Sequence, residues 1–219
     1  MSPRTEPAAV LWDMDGTLVD TEPYWFDVEF ELATAYGGSW SREHALNLVG
    51  NDLIESGRYI REHMEIDLAP ERIVELLLDG VVAKVEHRVP WCPGARELLA
   101  SLNASQTPCA LVTMSYERFV APILQQLPKA TFGVVVTGES VARGKPHPEP
   151  YLTAAQRLNV APEECLAIED STTGAASAAS AGCRVLVVPN HVHVEPDGRR
   201  VFAPTLEGLD LGEVWRSAR

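Results

Sequence analysis

Five short apolar runs punctuate the chain: AAVLW (8–12), CALV (109–112), FGVVV (132–136), CLAI (165–168) and RVLVV (184–188). None alternates apolar with polar residues as a half-exposed strand would, so each predicts a strand buried on both faces. Between the later runs, 116–126, 148–159 and 172–181 carry helical periodicity. Strands alternating with helices predict a parallel sheet with right-handed crossovers, a doubly wound, Rossmann-like α/β fold.

The first gap breaks this rhythm. Residues 13–108 separate the first run from the second, far more than one crossover helix needs. Within it, 22–36 and 70–86 have helical periodicity, and 52–64 has it more weakly. Asp20 or Thr21 can cap the first of these helices, with Pro23 tolerated in its first turn. HRVPWCPG (87–94) reads as a hinge, and Pro93-Gly94 opens a further helix, ARELLASL. The expected organisation is a core of 1–20 and 89–219 interrupted by a helical insertion at 21–88.

Composition narrows the classes of function. With 219 residues, 46% hydrophobic and 22% charged, the chain fits one folded core plus a smaller insertion. No apolar run approaches a membrane span, and MSPRTEP has no long apolar stretch of the secretory kind. A cytoplasmic protein with no membrane partner is expected, with a monomer as the default. The net charge of −13 repels nucleic acid and anionic surfaces. An anionic substrate would therefore need local positive charge, from a metal or a placed lysine. Cys92, Cys109, Cys165 and Cys183 are widely spaced with no C-x-x-C pair, and the three that sit in or beside apolar runs read as reduced core thiols.

In open α/β sheets ligands bind beyond the carboxyl ends of the strands, which directs attention to the residues just after each apolar run. The first run ends in DMDGT (13–17), the second in TMS (113–115) and the fourth in EDS (169–171), while TGESVARGKPHPEPY comes after the third. Asp13 and Asp15 stand at i and i+2 of an extended segment, so they share a side. Two like charges held together need a cation or a shared proton. Lys145 is one of only three lysines, at 84, 129 and 145. Each feature alone has an ordinary reading: a turn, a strand end, a helix cap at Glu169-Asp170, a solvated lysine. Their joint arrival at strand ends points to a site.

DMDGT, GKPHPEPY and IEDS, with TMS less specific, resemble the haloacid dehalogenase superfamily, in its β-phosphoglucomutase-like branch with a small helical cap. The resemblance spans nearly the whole chain and implies a doubly wound sheet with the cap inserted just after the first strand. It implies that Asp13 is a nucleophile giving an aspartyl-phosphate, and that Asp15 is the general acid and base. It implies Mg²⁺ held by Asp13, the Asp15 backbone carbonyl and Asp170, with Glu169 supporting the metal's water. Thr113 and the following amide at Met114-Ser115 would hold phosphoryl oxygens, Lys145 would neutralise charge, and Gly16-Thr17 would let amides approach the phosphate.

Departures from motif separate the branch's chemistries. Dehalogenases generally lack the second acid, and Asp15 is present. Phosphonatases need a lysine in the cap, where the only one is Lys84 near the hinge. In the mutases a cap histidine follows the first motif; its place here is held by Trp25, and the cap arginine is also missing, with Leu53 near that place. A phosphatase acting on a small phosphorylated metabolite, foremost a sugar phosphate, is therefore expected over a β-phosphoglucomutase-like mutase. A non-catalytic phosphate-binding relative should have lost a central residue, and none is lost. Gly50 and Asn51 are the cap-loop candidates for substrate contact; Glu22, Tyr24 and Trp25 either face the cleft or pack in the cap. His191-Val192-His193 lacks further metal ligands and reads as structural.

Overall fold

The structure, a computed structural model, describes residues 5–49, 52–196 and 200–218. In chain order β1 (Ala9–Trp12) precedes α1 (Glu22–Tyr36), α2 (Arg42–Leu46), α3 (Leu53–His63) and α4 (Pro70–His87). Then come α5 (Ala95–Ala104), β2 (Cys109–Val112), α6 (Glu117–Gln125), β3 (Val134–Val136) and α7 (Glu149–Leu158). β4 (Cys165–Glu169), α8 (Thr172–Ser180), β5 (Arg184–Val187), β6 (Arg200–Phe202) and α9 (Leu211–Ser217) complete it. The chain divides into two compact units: Thr21–Val89, and a core that runs through Asp20 and resumes at Pro90.

The core is a parallel sheet of order β3-β2-β1-β4-β5-β6. β1 is central, with Val10 beside Cys109 on one flank and Leu166 on the other. β1, β2 and β4 are buried at every position, which is why their sequences run apolar without alternation. Tyr151, Ala154 and Ala155 of α7 and Ala175 and Ala178 of α8 pack in one cluster with Ala9, Leu11 and Ala167. The small side chains let both helices come close to the strands. From β1 the sheet grows through β2 and β3 on one side and through β4, β5 and β6 on the other. The crevice at the carboxyl ends of β1 and β4 is thus the topological switch point, where open α/β sheets bind ligands.

Beyond β1 the backbone doubles back tightly. Leu18 and Val19 amides donate to the Met14 carbonyl, and the Gly16 amide to that of Val19. The chain then leaves and re-enters the core as a short antiparallel ribbon: Val19 bridges Trp91, the Asp20 amide donates to the Pro90 carbonyl at 2.8 Å, and the Cys92 amide to that of Leu18 at 3.0 Å.

The unit Thr21–Val89 is helical. Val28, Leu32 and Ala33 of α1 and Ile73, Val74, Leu77, Leu78, Val81 and Val85 of α4 are buried. A Cβ on Gly80 would lie 2.7 Å from Val28 Cγ1, so this glycine permits the close crossing of α1 and α4. Asp52 caps α3, accepting from the Ile54 and Glu55 amides at 2.9 and 3.2 Å. Thr21 stands at the N-cap of α1, but its side chain makes no cap bond. An acid is buried in this unit: Glu29 is 3% exposed and accepts from Trp40 Nε1 at 2.9 Å.

Three elements lie outside the sequence expectation. α2 and α9 are short, and β6 adds a three-residue strand whose residues, Arg200 to Phe202, are partly exposed. The third strand is shorter than its apolar run and begins at Val134.

Candidate active site

Asp13 follows β1, its amide donating to the Ile168 carbonyl of β4 at 3.0 Å; Thr113 follows β2, its amide donating to Val136 at 2.9 Å. Glu169 ends β4 and Asp170 follows it. The strand ladder thus continues one residue past the sheet and fixes these backbones where their side chains emerge at one edge. Asp13, Thr113, Glu169 and Asp170 are all buried.

Lys145 comes to these acids from the loop before α7. Its Nζ donates to Asp13 Oδ1 at 2.5 Å and to Glu169 Oε1 at 2.7 Å. The loop is held from below: Ser177 Oγ of α8 donates to the His147 carbonyl at 2.6 Å, and the Glu149 amide donates to His147 Nδ1 at 3.1 Å. Met114 turns its thioether to the same loop, where Sδ accepts from the Lys145 amide at 3.3 Å.

Asp15 belongs to a second group. Ser115 Oγ donates to its Oδ2 at 2.6 Å, and Thr113 Oγ1 lies 3.5 Å from the same oxygen. The Ser115 amide in turn donates to Thr113 Oγ1 at 3.0 Å. The Thr113 hydroxyl, expected to meet a phosphoryl group, and the Ser115 hydroxyl therefore both turn to Asp15 in this structure. Thr17 is 1% exposed, and its hydroxyl has no hydrogen-bond partner among the described residues.

Two glycines make room for the acids. A Cβ on Gly16, whose φ is +84°, would lie 2.0 Å from Asp170 Oδ2. One on Gly174, in the first turn of α8, would lie 2.0 Å from both Glu169 oxygens. Glu169 is thus seated against the start of a helix, where the exposed amides favour negative charge. Its remaining partners lie within the quoted motifs but were given no role there. Tyr151 Oη of α7 donates to Oε1 at 2.5 Å and Ser171 Oγ to Oε2 at 3.3 Å. Tyr151 sits at helical spacing with Ala154 and Ala155, the pattern of an ordinary core position; only its place in GKPHPEPY hinted otherwise.

The electrostatics are those of crowded acids. Burial first, and then the charge on Glu169, holds Asp13 above the usual carboxylate range despite Lys145. Burial and the Asp13 charge hold Asp170 above it as well. Burial alone would lower Lys145, but Asp13 and Glu169 more than reverse that, so it stays charged. Burial pushes the Tyr151 phenol well up, keeping it a donor.

Asp13, Glu169 and Asp170 each offer an oxygen, all within 4.8 Å of one another. A buried, all-oxygen donor set with more negative charge than one lysine neutralises fits a hard divalent cation rather than a soft one. The histidine pair does not add to it. His191 Nε2 lies 2.6 Å from Asp20 Oδ1 and His193 Nε2 lies 3.4 Å from Glu195. The four cysteines are free and buried, as expected of core thiols. Gly50 and Asn51 lie outside the described residues. No helix is long and apolar enough to cross a membrane among the described residues.

Known proteins share this plan. Rhodobacter sphaeroides CbbY in complex with phosphate superposes with a TM-score of 0.81 at 27% identity, covering 92% of this chain and 96% of that one. The phosphorylated carbohydrates phosphatase of Thermotoga maritima is 33% identical over 196 residues, 89% of each chain. Hexitol phosphatase B of Escherichia coli is 30% identical over 195 residues, 86% of each chain. The family model described as haloacid dehalogenase-like hydrolase matches residues 10–188, a span that takes in every strand-end motif from Asp13 to Asp170. The chain belongs to that family.

Proposed function

We propose that the protein is a phosphoric monoester hydrolase that uses Mg²⁺ to cleave a small phosphorylated metabolite, foremost a sugar phosphate, through an aspartyl-phosphate on Asp13. The observation that carries this reading is the buried cluster of Asp13, Glu169 and Asp170 bridged by Lys145 at the switch point of the sheet. Relatives named as phosphatases of carbohydrate and hexitol phosphates support the substrate class.

Asp13, Asp170 and the Asp15 backbone carbonyl would hold the metal, with Glu169 beside it. When bound, the ion supplies charge neutralisation for the phosphoryl oxygens and lets the acids stay ionised together. Lys145 grips Asp13 Oδ1, which orients the carboxylate and offers a cation to the incoming phosphate. A carboxylate oxygen of Asp13 attacks phosphorus as Asp15 gives a proton to the departing alkoxide. Asp15 then takes a proton from the water that opens the acyl phosphate. This needs Asp15 to exchange its bond from Ser115 for one to substrate, freeing the Ser115 and Thr113 hydroxyls for phosphoryl oxygens.

Thr21–Val89 would act as the cap that selects the substrate. Trp25, in the place of the mutases' cap histidine, can neither give nor take a proton at neutral pH, which favours net hydrolysis over phosphoryl return to sugar. The test is a panel of phosphorylated metabolites assayed for released phosphate with Mg²⁺ and with chelator. Release that depends on the ion is expected. Product analysis showing isomerised sugar phosphate, or release unaffected by chelator, would overturn this reading.

A further inference from the structure

We propose that Tyr151 is a positioning residue acting through Glu169: its hydroxyl fixes the rotation of that carboxylate and so sets how tightly the acidic cluster holds a divalent cation. The inference rests on the reading that Asp13, Asp170 and the Asp15 backbone carbonyl hold Mg²⁺ with Glu169 beside it.

Tyr151 is fully buried, in a cluster otherwise made of aliphatic side chains, small residues and thiols. For packing alone, phenylalanine fills the same space without a polar atom to bury. The hydroxyl is met by Glu169 Oε1 at 2.5 Å, the same oxygen that receives Lys145 Nζ at 2.7 Å, while Oε2 receives Ser171 Oγ at 3.3 Å. Donors from α7, from the loop before it and from the N-cap of α8 therefore hold one carboxylate on three sides.

The donors differ in what they do to charge. Lys145 orients Glu169 but also cancels a charge that a cation would use. Tyr151 orients it and leaves the charge in place. Hydrogen bonds of this kind to metal-binding carboxylates typically carry about 10–100-fold in affinity or activity. The ring has a separate task, since Lys145 Nζ lies 5.3 Å from its centroid. Tyr151→Phe keeps that contact and removes the hydroxyl, whereas Tyr151→Leu removes both.

The test is calorimetric titration of Mg²⁺ into the full chain without substrate, for wild type, Tyr151→Phe, Glu169→Gln and the double variant. Tyr151→Phe should bind at least tenfold more weakly than wild type, in line with the range of about 10–100-fold above. At saturating Mg²⁺ its kcat and KM should return to near wild type, whereas Tyr151→Leu should keep a raised KM for the phosphate ester. In the Glu169→Gln background, loss of the hydroxyl should change nothing further. Replacing Tyr151 by para-aminophenylalanine restores a donor and should restore affinity, which keeps the test decisive even if Tyr151→Phe folds poorly. Equal affinity of wild type and Tyr151→Phe, an undiminished effect in the Glu169→Gln background, or no rescue by the amine would overturn the inference. Absence of Mg²⁺ binding by wild type would instead overturn the metal reading on which it rests.

Discussion

Lys145 Nζ sits 2.5 Å from Asp13 Oδ1, with the two side chains only 7% and 10% exposed. This lysine is the cation that balances the acids at the end of β1 and β4, so its removal should be felt in stability as well as in turnover. Lys145→Met keeps the stem and deletes the charge. Breaking a buried pair commonly costs about 3–5 kcal/mol, and the lower end is expected here by urea unfolding at pH 8 in chelator. At pH 5.5, below the value of about 7 to which burial and the Glu169 charge raise Asp13, that carboxyl takes up a proton and the loss should shrink. The same loss at both pH values would assign the stabilisation to the stem.

The two acids of DMDGT should fail differently. On the proposed mechanism, Asp13→Asn deletes the attacking oxygen and should give no phosphoenzyme and no turnover. Asp15→Asn keeps its shape and its backbone carbonyl but cannot transfer a proton, a step worth typically about 10²–10⁴-fold. Its loss should be greatest for alkyl phosphates and smaller in the phosphorylation step for aryl phosphates, whose leaving groups need less protonation. Equal losses for both variants and both substrate types, in rapid-quench experiments, would refute the division.

Glu29 makes stability depend on pH. Burial pushes its carboxyl from 4.5 to about 8, so at neutral pH the folded chain carries a proton that the unfolded chain has released. Folded protein binds the extra proton, hence stability falls as pH rises between these values and levels off above them. Relative to Glu29→Gln, wild type should lose about 2–4 kcal/mol from pH 5 to pH 8.5, taking roughly 1.4 kcal/mol per unit and allowing for partial solvation. Urea midpoints followed across that range in chelator check it; parallel profiles would place Glu29 ionised in the fold.

Gly174→Ala sets two effects against each other. Alanine is better in a helix by roughly 1 kcal/mol, yet its Cβ would lie 2.0 Å from the Glu169 oxygens. The clash should win, lowering the melting temperature and weakening Mg²⁺ binding. A more stable variant with unchanged affinity would mean that Glu169 has room to move.

The strand ends were legible because they are local: an unbroken apolar run stops, and the next residues must emerge at the sheet edge. Asp13, Lys145, Glu169 and Asp170 could be brought together from order alone. Side-chain direction could not. Thr113 and Ser115 turn to Asp15, and Met114 to the lysine loop, for reasons that lie in the facing loops rather than in TMS. The Tyr151 hydroxyl was hidden by the apolar spacing of its ring. β6 was missed because Arg-Val-Phe, partly exposed at a sheet edge, carries too few apolar residues to announce a strand.

The ribbon through which the chain leaves and re-enters the core has a consequence for how such a protein can change. Its last rung, Asp20 to Pro90, is a single backbone bond of 2.8 Å, so the core's scaffolding sees the 69 residues from Thr21 to Val89 as the tip of a hairpin. The entropy of closing such a tip grows only slowly with its length. A lineage could therefore trade this insertion for a shorter or longer one much as it would vary an exposed loop, while the register of β1 against β2 and β4 stays untouched. Chemistry and selectivity would then be inherited as separate modules joined at one doorway.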